Sequence, residues 1–330
     1  MVLVWAATLT PSAPASGLRV ADGFTAEIVA TGLVRPIQVA FDGDARLVVL
    51  SHGRGDDAAG EIVWIDLRNA LPVDASPLPR VVIPFADRRR LVFGSLAVDP
   101  RGGGFFLGEE NGNRVYYLTR EARLRPAAVG VHHLVGGSGM ALDDHRRLVV
   151  LDFVSQDTQL HSESPPPSSL DMLGAGGYHG PLIFRVDVEP SAPLPRRLDL
   201  VPPFFPRGWP RQPGEILARF ISVIPLAGDE LAVLDSQGEI FVLDRDGALR
   251  RLARLPAGHF HRTNVALAPD GSLLVSSGFH IRKIYRVTPA GSVSVVASDL
   301  GDPGGVAVDR EGHLYVVETT LHRVVRIRTK

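Results

Sequence analysis

Histidine offers the most chemistry in this chain, and its placement is uneven. His132-His133 and His259-Phe260-His261 are the densest points, and His52, His161, His179, His280 and His322 join them in stretches lying between apolar runs. Imidazoles converging from several loops suit zinc, copper or iron, or proton transfer near neutral pH. The plainer account of any single one is a solvated loop residue. Carboxylates form a second set. Glu109 and Glu110 sit in "GEENGNRV", and Asp152, Asp235 and Glu318 end apolar runs in the same way. Such groups serve as general bases or as outer partners orienting ligand histidines. Equally, they cap a loop amide or pair with an Arg nearby.

Other chemistries are excluded. The chain has no cysteine, which removes disulfides, thiolate ligands and cysteine nucleophiles together. No G-x-S-x-G elbow is present, and the Gly-rich "GGGFF" at 102–106 has no helix after it, so neither a serine-hydrolase turn nor a phosphate loop is indicated. A formal net charge of −1 leaves no basic field for a nucleic acid. No apolar run reaches the roughly 18 residues of an integral membrane segment.

What positions these residues is a repeat. Six segments share the pattern V-A-x-D-x-x-G-x-L-x-V, among them "QVAFDGDARLVVLSHG" from Gln38, "NVALAPDGSLLVSSG" from Asn264 and "GVAVDREGHLYVVET" from Gly305. The closely spaced copies recur about every 41–44 residues, a period of propeller blades. Most are followed by a third apolar run such as "EIVWID", "EIFVLD" or "RVVRIR". Each unit reads as strand, tight turn, strand, loop, strand. One small sheet cannot bury both faces, whereas radial packing of six does so. The expected fold is therefore all-β, a six-bladed β-propeller. The chain ends after three strands of the sixth unit, so the strand-like "FTAEIVATG", Phe24 to Gly32, is expected to join the last blade and close the ring.

Domain organisation follows: a leader or signal-like tail over 1–20, then one propeller over 21–330. The leader carries Ala13-Pro14-Ala15, which resembles a cleavage site, but no positive n-region. A periplasmic or secreted location and a cytoplasmic one both stay open. Two long insertions, Val154 to Gly180 and Val201 to Phe220, are expected on the rim called the top here, where loops enter the innermost strands. They hold Tyr178, Phe204, Phe205 and Trp209, a set suited to covering an apolar ligand or to packing on the propeller body.

The repeat, "GGVAVDREGHLYVVETTLHRVVRI" above all, resembles the NHL-type repeat. The chain after about residue 20 is similar to six-bladed gluconolactonase-like propellers, a group that includes strictosidine synthase-like proteins, paraoxonase-like lactonases and amidoglycolate lyases. "VALAPDGSLLVSSGFHIRKIYRV" is also similar to sorbosone and sugar dehydrogenases that use pyrroloquinoline quinone. The resemblance implies a small-molecule site at the top of the central channel. In gluconolactonase-type enzymes a divalent cation is held at the starts of the innermost strands, which here are Gln38, Ser95, Gly139, Ser222, Asn264 and Gly305. Only Asn264 fits that ligand pattern. The quinone reading would use His133, Arg262 and Lys283.

Three functions stay open on this basis. The first is an enzyme acting on a small organic molecule as a hydrolase or lyase, with His133, His261, His280, Glu110 and Glu318 as catalytic residues. Asn264, Arg262, Gln38, Phe205, Trp209 and Tyr178 would bind the ligand, and His133, His261 and Asn264 would hold one divalent metal ion. The second is a non-catalytic propeller whose rim contacts a ligand or a protein partner. The third is a quinone-dependent sugar or aldehyde dehydrogenase.

Overall fold

The computed structural model describes residues 17–52, 59–84, 92–99, 101, 103–110, 114–129, 139–143, 145, 147–152, 182–188, 196–197, 199–200, 220–256 and 263–330. Six antiparallel sheets form the six expected blades. From the innermost strand outward, blade one is Pro36–Phe41, Arg46–Ser51, Gly60–Asp66 and Arg80–Ile83. Blade two is Phe93–Val98, Phe105–Glu109, Arg114–Leu118 and Leu124–Val129. Blade three is Met140–Leu142, Arg147–Asp152, Leu182–Asp187 and Asp199–Leu200. Blade four is Phe220–Pro225, Leu231–Asp235, Glu239–Leu243 and Leu249–Arg254. Blade five is Val265–Leu267, Leu273–Ser276, Lys283–Val287 and Val293–Ser298. Blade six takes Pro303–Val308, Leu314–Glu318 and Arg323–Thr329 from the end of the chain. Its outer strand is Phe24–Thr31, paired antiparallel from Phe24↔Thr329 to Ile28↔Val325 and beyond. The ring closes as the sequence predicts.

The consecutive apolar residues of each second strand now have a cause. The buried apolar clusters lie at the six interfaces between neighbouring blades, and successive side chains of one strand go to opposite interfaces. Val48 packs into the blade one–blade two cluster while Val49 packs into the blade six–blade one cluster. Leu273 and Leu274 divide between the clusters shared with blades four and six in the same way. A strand buried on both faces needs an unbroken apolar run, not an alternating one.

The Asp of each turn is explained locally. At the bottom rim, Asp309 accepts the His313 N–H at 2.7 Å, Asp143 accepts the Arg147 N–H at 2.7 Å, and Asp270 accepts the Ser272 N–H at 3.0 Å. These Asx-type bonds set the turn between innermost and second strands. Ion pairs then tie neighbouring blades at that rim. Asp42 of blade one accepts Arg120 of blade two at 2.8 Å, with the guanidinium also over Trp64, and Arg147 of blade three reaches Asp229 of blade four.

Three blades carry an extra short strand that the repeat does not announce. Arg19–Val20 pairs outside blade five, Val73–Asp74 outside blade six and Arg196–Arg197 outside blade two. Each covers backbone groups an edge strand would otherwise leave open.

Candidate functional site

The top mouth of the channel is where the innermost strands begin, and four of them begin irregularly. Their pairing with the second strand slips by a residue or more between Pro36 and Gln38, Phe93 and Ser95, Phe220 and Ser222, and Pro303 and Val306. A bulge at a sheet rim turns backbone groups out of the ladder and re-aims side chains. Neighbouring blades collect the displaced carbonyls. Gln38 Nε2 of blade one donates to Gly94 O of blade two at 2.7 Å. The Ser222 hydroxyl of blade four donates to Thr263 O at the entrance of blade five at 2.7 Å. Thr319 Oγ1 of blade six donates to Pro36 O of blade one at 2.8 Å. Between these last two blades the packing is backbone on backbone, because a Cβ on Gly305 would stand 2.6 Å from Gln38 Cα and Val39 N.

Buried polar side chains thus gather at the described strand entrances: Gln38, Ser95, Ser222, Thr263 and Asn264. Asn264 is fixed through its backbone, its N–H donating to Ser276 Oγ at 2.9 Å and its carbonyl accepting the Ser276 N–H at 2.8 Å. Thr263 differs from its neighbours. It is 0% exposed, and its Oγ1 has no hydrogen-bond partner among the described residues. A buried polar atom without a partner requires an explanation, and a bound ligand or water is the usual one. Gln38→Leu should lower stability by about 1–3 kcal/mol, since the Gly94 carbonyl then stays buried and unpaired. Urea unfolding of the two proteins measures it.

Other sequence-predicted residues fall as follows. Glu318 is fully buried where the second strand of blade six ends. Its Oε2 accepts Arg323 Nε at 2.5 Å and its Oε1 accepts the Gly301 N–H at 2.8 Å. Glu110 is half-buried, and its N–H donates to Val92 O at 2.7 Å. His280 is exposed on the short helix Gly278–Ile281, its ring against Phe279 at 5.3 Å, with Phe279 itself 60% exposed. Lys283 is half-buried at the start of the next strand. His322 Nδ1 accepts the Arg35 N–H at 3.1 Å, holding the loop that enters blade one. His133, His261, Arg262, Tyr178, Phe205 and Trp209 lie outside the described residues.

Asp235 ends the second strand of blade four, as the sequence places it, yet its environment could not be read there. It is buried, accepts the Gln237 and Glu239 N–H groups at 2.9 and 2.8 Å, and its carboxyl is pushed up to about 6, first by burial and then by the Glu239 charge.

In donor chemistry, the six strand-start positions Gln38, Ser95, Gly139, Ser222, Asn264 and Gly305 offer only amides and hydroxyls, while the charged Arg35 and Asp302 stand just before the innermost strands of blades one and six. That set fits a neutral polar ligand. A hard cation would need carboxylates, and the acidic groups of pyrroloquinoline quinone would need basic ones, both from elsewhere on the rim.

No family model matches the sequence, and no curated protein matches it. Solved structures do. A gluconolactonase from Xanthomonas campestris superposes with a TM-score of 0.63 at 13% identity, covering 98% of this chain and 99% of that one. Virginiamycin B lyase from Staphylococcus aureus gives 0.56 at 11%, covering 93% and 100%. The pyrroloquinoline quinone domain of pyranose dehydrogenase from Coprinopsis cinerea gives 0.59 at 13%, covering 96% and 98%. Identities this low establish the architecture: the chain has the six-bladed β-propeller fold that gluconolactonase-like, lyase and quinone-domain propellers share.

Proposed function

We propose that the top mouth of the channel binds a small, polar organic molecule and that the protein acts on it as a hydrolase or lyase. The observation that carries this reading is the ring of buried polar side chains at the strand entrances, with the Thr263 hydroxyl left unpartnered among them. The similar folds include a gluconolactonase, a virginiamycin B lyase and a pyranose dehydrogenase domain, each named for a small organic molecule. Gln38 and Asn264 line the binding floor, with Arg262, Tyr178, Phe205 and Trp209 supplied by the top loops. His133, His261, His280 and Glu110 are the proton-transfer groups, and His133, His261 and Asn264 would hold a divalent metal. Such an ion would polarise a carbonyl or lower the pKa of water. Glu318, engaged on both oxygens, enters as a positioning residue.

Thr263→Val tests the floor. The variant removes a hydroxyl with no partner among the described residues, so stability should hold or rise. Affinity for the ligand should fall about tenfold as the ligand loses one neutral hydrogen bond. Gluconolactone, an aldopyranose and virginiamycin B are the first probes, read by thermal shift and by turnover. A probe bound equally by wild type and variant would move the site off the strand entrances. Loss of turnover in His133→Ala together with His261→Ala would support catalysis.

A second reading, a non-catalytic binding propeller, is favoured by one observation. Gln38, Ser222 and Glu318 all spend their polar atoms on neighbouring backbone or Arg groups, as scaffold residues do. It predicts binding without turnover of any probe. The quinone reading predicts a red-shifted chromophore on adding pyrroloquinoline quinone with Ca²⁺.

A further inference from the structure

The bottom turns of blades one, three and five follow one rule: the turn carboxylate is neutralised by an Arg. Asp42 pairs with Arg46 and Arg120, Asp143 with Arg147, and Asp270 with Arg286. Blade six departs from it. In "VDREGHL" the turn Asp309 pairs with His313, Nδ1 standing 2.9 Å from Oδ2, and a second carboxylate, Glu311, stands beside them. One ligand atom from each of Asp309, Glu311 and His313 lies within 4.8 Å of the other two. Among the described residues no Arg or Lys pairs with either carboxylate, and Glu311 makes no hydrogen bond or ion pair. The one nearby basic residue of the turn, Arg310, is spent on Asp44 of blade one.

We propose that Asp309, Glu311 and His313 form a binding site for a divalent transition-metal ion, on the face opposite the channel mouth. A divalent ion at their centre would take one donor atom from each carboxylate and one from the imidazole. Metal–nitrogen and metal–oxygen bonds of about 2.0–2.2 Å put neighbouring ligands roughly 3–3.5 Å apart, and the exposed Glu311 side chain is free to close the remaining distance. The imidazole selects zinc and its neighbours over calcium. An outer shell is already in place: Tyr315 OH donates to Asp309 Oδ2 at 3.2 Å, and Arg326 Nη1 donates to Tyr315 OH at 3.5 Å while its Nε donates to Glu27 at 2.7 Å. Such partners orient metal-bound carboxylates. Glu311 and Gly312 also line a cleft of about 220 Å³ between blades five and six, floored by Leu274, Val296 and Leu314. The ion would therefore border space for water or a small donor ligand.

The site is independent of the function proposed for the channel mouth, and the experiment keeps the two apart. Chelator-treated full-length protein is titrated calorimetrically with ZnCl₂, comparing wild type with Glu311→Gln, His313→Gln and the top-rim pair His133→Ala and His261→Ala. The expected result is a zinc equivalent, separate from any held at the channel mouth, that weakens at least tenfold in Glu311→Gln, is lost in His313→Gln and survives in the top-rim variant. Should His313→Gln fail to fold, the exposed Glu311→Gln decides alone. Absence of zinc binding by wild type, or binding unchanged in Glu311→Gln, overturns the proposal.

Discussion

Glu318→Ala is expected to lower the folding free energy by about 3–5 kcal/mol, the usual result of removing one partner from a buried ion pair. Arg323, 7% exposed, would be left with a buried charge and no carboxylate, and the Gly301 N–H would lose its acceptor. No small side-chain shift repairs this, because Gly301 is already in close contact: a Cβ there would stand 2.5 Å from Leu321 Cγ. The loss also falls where the ring is joined. Thr319 holds Pro36 O, and His322 holds the Arg35 N–H, so residues 319–322 tie blade six to the loop that enters blade one. Equilibrium unfolding in urea measures the effect as a shift of midpoint at constant slope. The double replacement Glu318→Leu with Arg323→Met separates charge from packing. It should recover most of the loss, since an apolar pair of similar volume needs no neutralisation. A single replacement costing under 1 kcal/mol would mean that water reaches the pair.

Glu318 also shows where sequence reasoning reaches and where it stops. The repeat fixes that this carboxylate ends the second strand of blade six at the top rim, and the structure agrees. Whether it faces a ligand or an Arg depends on how the next strand pairs. Glu318 and Arg323 are directly opposite in the hairpin, a relation set by the short helical turn Thr319–Leu321 and the left-handed His322, φ 54°. Ring closure was readable because it rests on local pattern: an apolar strand at one end and a missing strand at the other. The bulges at the strand entrances were not readable, because an extra residue at the very start of a strand leaves the apolar pattern beyond it unchanged while altering which atoms meet the neighbouring blade. Hence Gln38 could be placed at the mouth, while its bond to Gly94 could not. The D-x-E-x-H spacing of the blade six turn was visible in the sequence. It gains meaning only beside the Arg-neutralised turns of blades one, three and five.

Asp235→Asn should stabilise the protein above pH 6 and leave it unchanged near pH 4. The folded-state carboxyl titrates at about 6, against 3.8 for an ordinary Asp. Between those values the folded chain holds a proton that the unfolded chain has released, so stability falls as pH rises through this window. Above it the full cost persists, about 3 kcal/mol for a shift of this size. The cause is burial of a charge with no cation beside it among the described residues. The two backbone N–H groups that bond Oδ1 offset only part of that cost, and the Glu239 carboxylate adds repulsion. Asn keeps the acceptor oxygen for both N–H groups and carries no charge, so it preserves the loop and removes the penalty. Urea midpoints at pH 4 and pH 8 provide the check. The wild-type curve should fall with pH relative to the variant, and parallel curves would place the Asp235 titration in the ordinary range. Glu239→Gln should recover a smaller part of the same penalty, because it removes only the repulsion and gives up the Arg251 and Arg254 ion pairs of Glu239. This ordering of the two variants follows from burial being the larger cause.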